Sequence, residues 1–450
     1  MQERPRLRIA VVGSGISGLS AAWLLSHRHD VTIYEQSDRI GGHSNTVLAR
    51  VEGRLLPVDT GFIVFNRATY PNLTALFEHL GVPVEVSNMS FSVSLDNGGL
   101  EYAFGTPAGL LAQPRNLVSP RFWSMMTDLR RFYHEAIRDL QNPECEAIGL
   151  GEYLTLRRYS PAFRDDHLLP MASAIWSATA SDMLSYPAAS FIRFHANHGL
   201  LQLAGRPKWE TVSGGCVNYV RRLIAPIGGQ VKCDTAVVAI RRSAREALVI
   251  DSKGASESFD HVVMATHADQ ALAALADPSP AESALLGTFR YTRNLAVLHS
   301  DECFMPKRRA AWASWNYVSP EIAQPVGASL TYWMNRLQNI PNRTPLFVTL
   351  NPARAPRAGT LHHSEIYEHP VFDAQAVAAQ RRLWELQGTQ RTWFCGAYFG
   401  YGFHEDGLQS GLAVAEELGG MRRPWSVPNE SGRISLIDRH GVQHDQELMS

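Results

Sequence analysis

The chain has 450 residues, 45% of them hydrophobic and 19% charged, with 42 basic and 43 acidic side chains and a formal net charge of −1. At roughly 150 residues per domain this is two or three domains' worth of chain, with ample apolar material for a large core. A mainly disordered chain and a broad nucleic-acid-binding surface are both excluded as leading readings. Five scattered cysteines, without a Cys-x-x-Cys pair, argue against a disulfide scaffold or a structural zinc site and point to a reducing, cytoplasmic setting. The N-terminus shows no signal-peptide pattern, and no apolar run reaches the roughly 18 residues needed to span a bilayer. Peripheral membrane contact stays open.

Leu7–Val12 reads LRIAVV, a buried parallel strand, and ends at Gly13-Ser14-Gly15-Ile16-Ser17-Gly18. A proline-free apolar helix follows from Ile16 to about Ser26, and then a second strand, Asp30-Val-Thr-Ile-Tyr-Glu35, that ends in an acid. Strand, G-x-G-x-x-G, helix, strand and acid make a complete dinucleotide-binding unit. Gly13 permits the tight turn, Gly15 lets a pyrophosphate approach the backbone, and Gly18 packs helix on strand. The N–H groups at the helix start, from Ile16 and Ser17 onward, offer partial positive charge to phosphates. Glu35 lies where a carboxylate accepts from ribose hydroxyls and repels a 2′-phosphate.

After Glu35 comes Gln36-Ser37-Asp38-Arg39-Ile40-Gly41-Gly42-His43. This second glycine pair resembles the extension in FAD-binding flavoproteins of the amine oxidase and phytoene desaturase superfamily, where it lets the chain pass the FAD phosphates. Many members have Arg soon after the pair. Here the residue is His43, and its role stays open. Asp59-Thr60-Gly61-Phe62-Ile63-Val64-Phe65 resembles the strand-turn that lines the flavin in that superfamily.

Farther along, Thr74–Leu80 predicts a short helix, Val84–Val93 a strand, and Asn97-Gly98-Gly99 a turn into Leu100–Phe104. Ser119–Gln141 is helical in period, and 162–201 has the apolar, aromatic texture of buried helices around a ligand. Gly214-Gly215 precedes a helix over Val217–Ile224. Gln230–Ile240 and Ala247–Ile250 read as strands with a hairpin between them, and Phe259–Thr266 as a buried strand before a helix over 268–275. Strand-like runs at Asn294–Leu298, Ser329–Met334 and Leu346–Thr349 precede a helix over 371–386. Arg391-Thr-Trp-Phe-Cys-Gly396 is a strand into glycine, and a helix starts near Gly407-Leu408.

Three segments, 7–43, 206–266 and 391–418, match this superfamily in order. The strings GGHSNTV, VDTGFIVFN, YPNL, HPVFD and FCGAYFGYGFHEDGLQSGL resemble more narrowly a mostly bacterial family of predicted NAD/FAD-dependent amine-oxidase-like flavoproteins. A related flavoprotein region is fused ahead of cyclopropane fatty acid synthase in plants. The resemblance implies an α/β fold: a discontinuous Rossmann-like FAD-binding domain (1–90, 206–276, 389–420), an inserted α+β substrate domain (91–205, 277–388), and a polar, partly disordered tail (421–450).

It also implies non-covalent FAD on Gly13, Gly15, Ile16, Ser17, Gly18, Glu35, Gln36, Arg39, Gly41, Gly42, His43, Thr60, Gly61, Gly396, Gly407 and Leu408. Relatives carry an acid after the glycine matching Gly396; here that residue is Ala397, so the contact is missing or comes from Glu405 or Asp406. Amine-oxidising relatives place a lysine near the flavin, which makes Lys208 a candidate. His404 is a candidate acid or base, and Tyr398 and Tyr401 resemble aromatic pocket walls. Trp176, His198, Trp209, Tyr332 and Trp333 are further pocket candidates.

No metal is expected, because His362, His363, Glu365 and His369 fit no zinc spacing. Cys216 and Cys395 read as buried residues, not flavin links. With one dinucleotide motif, electrons pass from an organic substrate to oxygen or another acceptor. The expected partner is a small-molecule or lipid substrate, in an FAD-dependent oxidoreductase. A flavin amine oxidase, or a flavoprotein assisting a lipid-modifying methyltransferase without turnover of its own, are the alternatives. Oligomeric state is open.

Overall fold

The LRIAVV run lies at the centre of a five-stranded sheet because its side chains are apolar on both faces. In spatial order the strands are Val231–Lys232, Asp30–Tyr34, Arg8–Val12, His261–Met264 and Thr392–Phe394, and every pair is parallel. Val11 sits between Ile33 and Val263 in this register. The structure, a computed structural model, describes residues 5–436 except 143–144, 146–147, 177–178, 198, 202–206, 229, 321–328 and 342.

The first helix, Ile16–Ser26, is buried at every residue from Ile16 to Leu25. Such all-round burial needs cover on two sides. The sheet provides one side and the C-terminal helix, His404–Gly419, the other.

A second sheet has seven strands. Its order is Leu361–Val371, Arg290–His299, Phe347–Leu350, Ser329–Trp333, Trp315–Val318, Phe91–Leu95 and Leu100–Ala103. All neighbours are antiparallel except Trp315–Val318 with Phe91–Leu95. Helix Pro120–Asp139 packs Phe122 and Met125 against Val93, Leu95 and Tyr102.

Four expectations change. Val84–Val93 is two strands in different sheets, Val84–Val86 and Phe91–Leu95. Gln230–Ile240 likewise divides into Val231–Lys232 in the parallel sheet and Val237–Arg242 in an antiparallel meander. The helix expected over 371–386 starts later, at Ala374, because the Asp373 carboxylate accepts from Ala376 N (2.9 Å) and caps it there. The tail is packed, not loose, over 421–436. Trp425 stacks on Trp23, Arg423 is buried against Glu416 and Asn72, and Ile434 joins the core.

Candidate functional site

The parallel strands all end at one edge, and the turns there carry the glycine motifs, the usual place for a ligand in an open α/β sheet. Gly13 has φ +101°, and a Cβ on it would meet Ala265 O at 2.8 Å. A Cβ on Gly18 would strike the Gly13 carbonyl and lie 3.0 Å from Ala265 Cβ. Gly15 differs: a Cβ there meets nothing within 4 Å. Two glycines of the motif are thus required by the protein's own packing, while the third faces open space. Gly15 is also the N-cap of the first helix and contributes no side-chain cap, so the helix's first N–H groups are left for an external acceptor.

Ser14 ties this turn to the second glycine pair. Its N–H and hydroxyl donate to Glu35 Oε2 (3.0 and 2.5 Å), while Gly41 N donates to Ser14 O and Oγ (3.1 and 3.2 Å). Glu35 also accepts from Ser37 N (2.9 Å). Gly42 lies over Gly15, where a Cβ would come within 3.0 Å of Gly15 Cα. Arg39 donates to Gly42 O (2.7 Å), Gln36 is exposed, and Gly61 packs on the His43 carbonyl.

The C-terminal helix runs beside the first helix in the same direction. Gly407 faces Ile16 and Ser17, Gly411 faces Ser17 and Ser20, and Gly419 faces Leu25. Both N-termini therefore lie at one end, and their dipoles add where the glycine turns meet. Gly396 N donates to Ser410 Oγ (3.0 Å), and Leu408, one turn into the helix, is fully buried.

The acids expected to substitute at Ala397 are committed elsewhere. Glu405 accepts from Asn72 N, Asn72 Nδ2, Leu73 N and Gln409 Nε2 (2.9–3.0 Å), capping helix Pro71–Leu80. Asp406 accepts from Phe403 N (2.7 Å) and faces Arg433 at 3.4 Å; burial raises its pKa to about 6. Neither is available to replace the missing acid. Asp59, also raised to about 6 by burial, accepts from Thr46 Oγ1, Cys216 N and Gln338 Nε2, joining three separated segments.

Around this end stands a wall of rings that sequence reading found only in part. His404 stacks on Phe62 (3.8 Å between centroids, 6° between planes) and its Nε2 meets Tyr219 OH at 2.7 Å and Ser44 Oγ at 3.1 Å. Burial lowers its pKa to about 3, so the ring is neutral. His43 lies 5.0 Å from Tyr367 and 5.4 Å from His369. Burial, then the neighbouring His369, holds His43 well below the ordinary imidazole range, and its Nε2 is buried without a partner. Tyr367 OH bonds Thr60 Oγ1 (2.7 Å) and accepts from Asn45 Nδ2 (3.0 Å). Asn294 Nδ2 donates to His369 Nδ1 (2.9 Å), which places the neutral ring's proton on Nε2; burial lowers this group to about 4. The signal was the alternation His363, Glu365, Tyr367, His369 along one strand face, but nothing local told what that face opposed.

Other candidates fall elsewhere. Lys208 is exposed ahead of strand Trp209–Val212, a setting that shields no proton from solvent. Tyr401 is half-buried with its edge to Phe194, which stacks on Phe403 at 4.9 Å and packs on Trp176 at 4.5 Å. Tyr398 is core, folded over Gly396 and against Phe289. Trp209 packs against core residues, and Tyr332 and Trp333 against Trp315 and Trp312. His198 lies outside the described residues. Among the described residues no group of three or more His, Cys, Asp or Glu is placed to hold a metal, and His362 bonds Ser300 (2.7 Å). Cys216 Sγ donates to Phe62 O (3.2 Å), and burial raises both its thiol and that of Cys395.

The sequence profile of the flavin containing amine oxidoreductases matches residues 16–403. The chain belongs to that family. Its cofactor is accordingly FAD, and its class that of the FAD-dependent oxidoreductases. The open space over Gly15, the uncapped helix start and the unpartnered His43 Nε2 fit such a group. A putative flavin-containing monoamine oxidase, AofH of Mycobacterium tuberculosis, is 26% identical over 278 residues, which are 61% of this chain and 60% of that protein. The chain thus matches about 60% of that curated relative's length. Putrescine oxidase with putrescine bound superposes with a TM-score of 0.66 at 14% identity, over 93% of this chain and 100% of that one. A CLA-producing fatty acid isomerase from P. acnes gives 0.66 at 14% identity, over 92% and 98%. These two likenesses establish the fold, a Rossmann-like FAD-binding amine-oxidase architecture. Among the described residues no helix is long and apolar enough to cross a membrane.

Proposed function

We propose that the chain binds FAD non-covalently between its two glycine turns and the two helix N-termini, and takes a hydride from an apolar substrate such as an acyl or other lipid chain. Oxygen or another acceptor then takes the electrons. The observation that carries this reading is the aromatic cluster in which Trp176, Tyr401 and Phe403 pack around the buried Phe194 at the start of the C-terminal helix. Such rings recognise apolar groups, while their π faces also attract an ammonium, as the second reading below requires. The nearby acids Glu405 and Asp406 are satisfied within the protein.

Bound FAD supplies the two-electron acceptor. The protein's part is to exclude water and to hold neutral imidazoles beside the site. His369, fixed by Asn294, presents an Nε2 proton, and His404 is oriented by Tyr219 and Ser44. The similarity to the flavoprotein region joined to plant cyclopropane fatty acid synthases supports a lipid. Membership of the amine oxidoreductase family and the match to AofH favour a second reading, oxidation of an amine.

Anaerobic mixing separates them. Bleaching of the flavin by a phospholipid or fatty acid, and not by mono- or diamines, is expected. Bleaching by an amine alone establishes the second reading, and bleaching by neither indicates a flavoprotein that assists a lipid-modifying enzyme.

A further inference from the structure

Between Glu101 and Asp128 the chain contains no acidic residue and two arginines, Arg115 and Arg121. The segment folds as a short helix, Pro107–Leu110, a turn over Pro114–Val118, and the first turn of helix Pro120–Asp139. Leu110 and Phe122 turn inward onto the core around Val93 and Tyr102. Leu111, Leu117, Val118 and Trp123 instead face solvent, Val118 with 81% of its surface. The core is therefore complete without them, and no folding requirement explains an apolar cluster there.

The cluster is built to leave water. Trp123 Nε1 donates to the Leu117 carbonyl (2.8 Å), so the indole can enter hydrocarbon without stranding its N–H. Ser119 caps the helix through Phe122 N, satisfying a backbone donor at the same tip. Basic side chains flank it. The exposed run Lys307, Arg308, Arg309 adjoins the segment: Arg308 Nη1 and Gln113 Nε2 both donate to the Gly98 carbonyl (3.2 and 2.7 Å). Glu101, Glu302 and Asp166 offset part of this charge, through Arg308 at 2.9 Å, Arg309 at 2.6 Å and Arg121 at 2.7 Å, which leaves Arg115 and Lys307 as the outward cations.

We infer that the 107–123 tip docks the protein on an anionic phospholipid bilayer, with Leu117, Val118 and Trp123 entering the interface and Arg115 and Lys307 facing headgroup phosphates. An apolar tip with a basic border and an acid-free sequence matches such a surface in both chemistry and charge. A second copy fits less well, because two-fold pairing of this patch would set arginines against arginines.

The test is sedimentation of the full chain with vesicles of phosphatidylcholine alone or mixed with phosphatidylglycerol. Pelleting with the mixed vesicles, weakening as salt rises, is expected. Val118→Asp and Trp123→Ala should each lower vesicle affinity by roughly tenfold, and Arg115→Gln by roughly fivefold. The thermal midpoint of Val118→Asp should not change, since Val118 is 81% exposed, so that variant separates docking from stability. Three results overturn the inference: no pelleting with either vesicle, equal pelleting with both, or a concentration-dependent dimer abolished by Val118→Asp. The measurement needs neither turnover nor a lipid substrate, so its outcome is independent of the activity proposed above.

Discussion

The glycine end of this molecule and its ring-lined wall are built on opposite rules. At the glycine end glycines let chain approach chain: Gly18 meets the Gly13 backbone, Gly42 the Gly15 backbone, Gly411 the Ser17 carbonyl and Gly407 the Ser17 and Ile16 side chains. The absence of a Cβ permits these approaches, and the Ser14–Glu35 pair ties the turns together. In the wall the spacing is set by side chains whose polar edges, His43 Nε2 excepted, are partnered, as with His404, Tyr219 and Ser44, or Tyr367, Thr60 and Asn45. The first region fixes what is held; the second can be re-cut to change what reacts. This is how one fold accommodates relatives named for different substrates.

The sharpest way to break that contrast is inside the motif itself. Gly18→Ala places a methyl against the Gly13 carbonyl, where neither backbone can yield. A loss above about 3 kcal/mol in urea unfolding is expected. Gly15→Val meets open space at φ −66°, so the apoprotein should unfold within about 0.5 kcal/mol of wild type. Yet its FAD affinity should fall at least about a hundredfold, because the branched side chain fills the phosphate approach. A yellow Gly15→Val protein refutes the placement of the cofactor.

Acid probes the wall. Burial lowers His404 to about 3 and His369 to about 4 in the wall, and lowers His195, beside Phe191 O, and His299, beside Thr349, to about 4 elsewhere in the core, all below the unfolded value of 6.5. Between pH 4 and 6.5 the unfolded chain binds more protons at these sites, so stability is lost as pH falls through that window. Asp59 and Asp406, raised to about 6 from 3.8, act in the opposite sense between those two values. The four histidines outweigh the two acids. The apoprotein's thermal midpoint should drop by a few degrees from pH 7 to pH 5, and His404→Phe should flatten that slope. A midpoint that rises on acidification refutes the neutral-imidazole wall.

The smallest effect tests the seam between the regions. Tyr367→Phe removes one hydroxyl from Thr60 and Asn45 and should cost about 1 kcal/mol by denaturant titration. A neutral substitution means the strand does not brace the Thr60 turn.

The glycine end was legible in sequence because it is local: strand, turn, helix and acid lie within Leu7–Glu35, each constrained by its neighbours. His404 was legible for the same reason, through the glycines around it. Asp406 read as a cap of the following helix, and it does accept from Phe403 N, but the role of Glu405 and the cation that meets Asp406 were not legible. Glu405's acceptors serve Asn72 and Leu73, more than 300 positions away, and Asp406's cation, Arg433, lies in a segment that read as tail. Strand Val231–Lys232 read as one piece with Val237–Arg242, because two residues suffice at a sheet edge that the strand Asp30–Tyr34 already templates, and nothing local marks the break. His369 and Tyr367 alternate as a strand should, but only the paired Arg290–His299 strand sets which loop they meet.

The side-by-side seating of helices Ile16–Ser26 and His404–Gly419 bears on how the chain is made. The earlier helix leaves the ribosome with an oily flank whose cover is still unsynthesised. At about 5–20 residues per second, some 20–80 s pass before that cover emerges. A chaperone that shields this flank during translation should therefore raise the yield of folded chain more than one added after release.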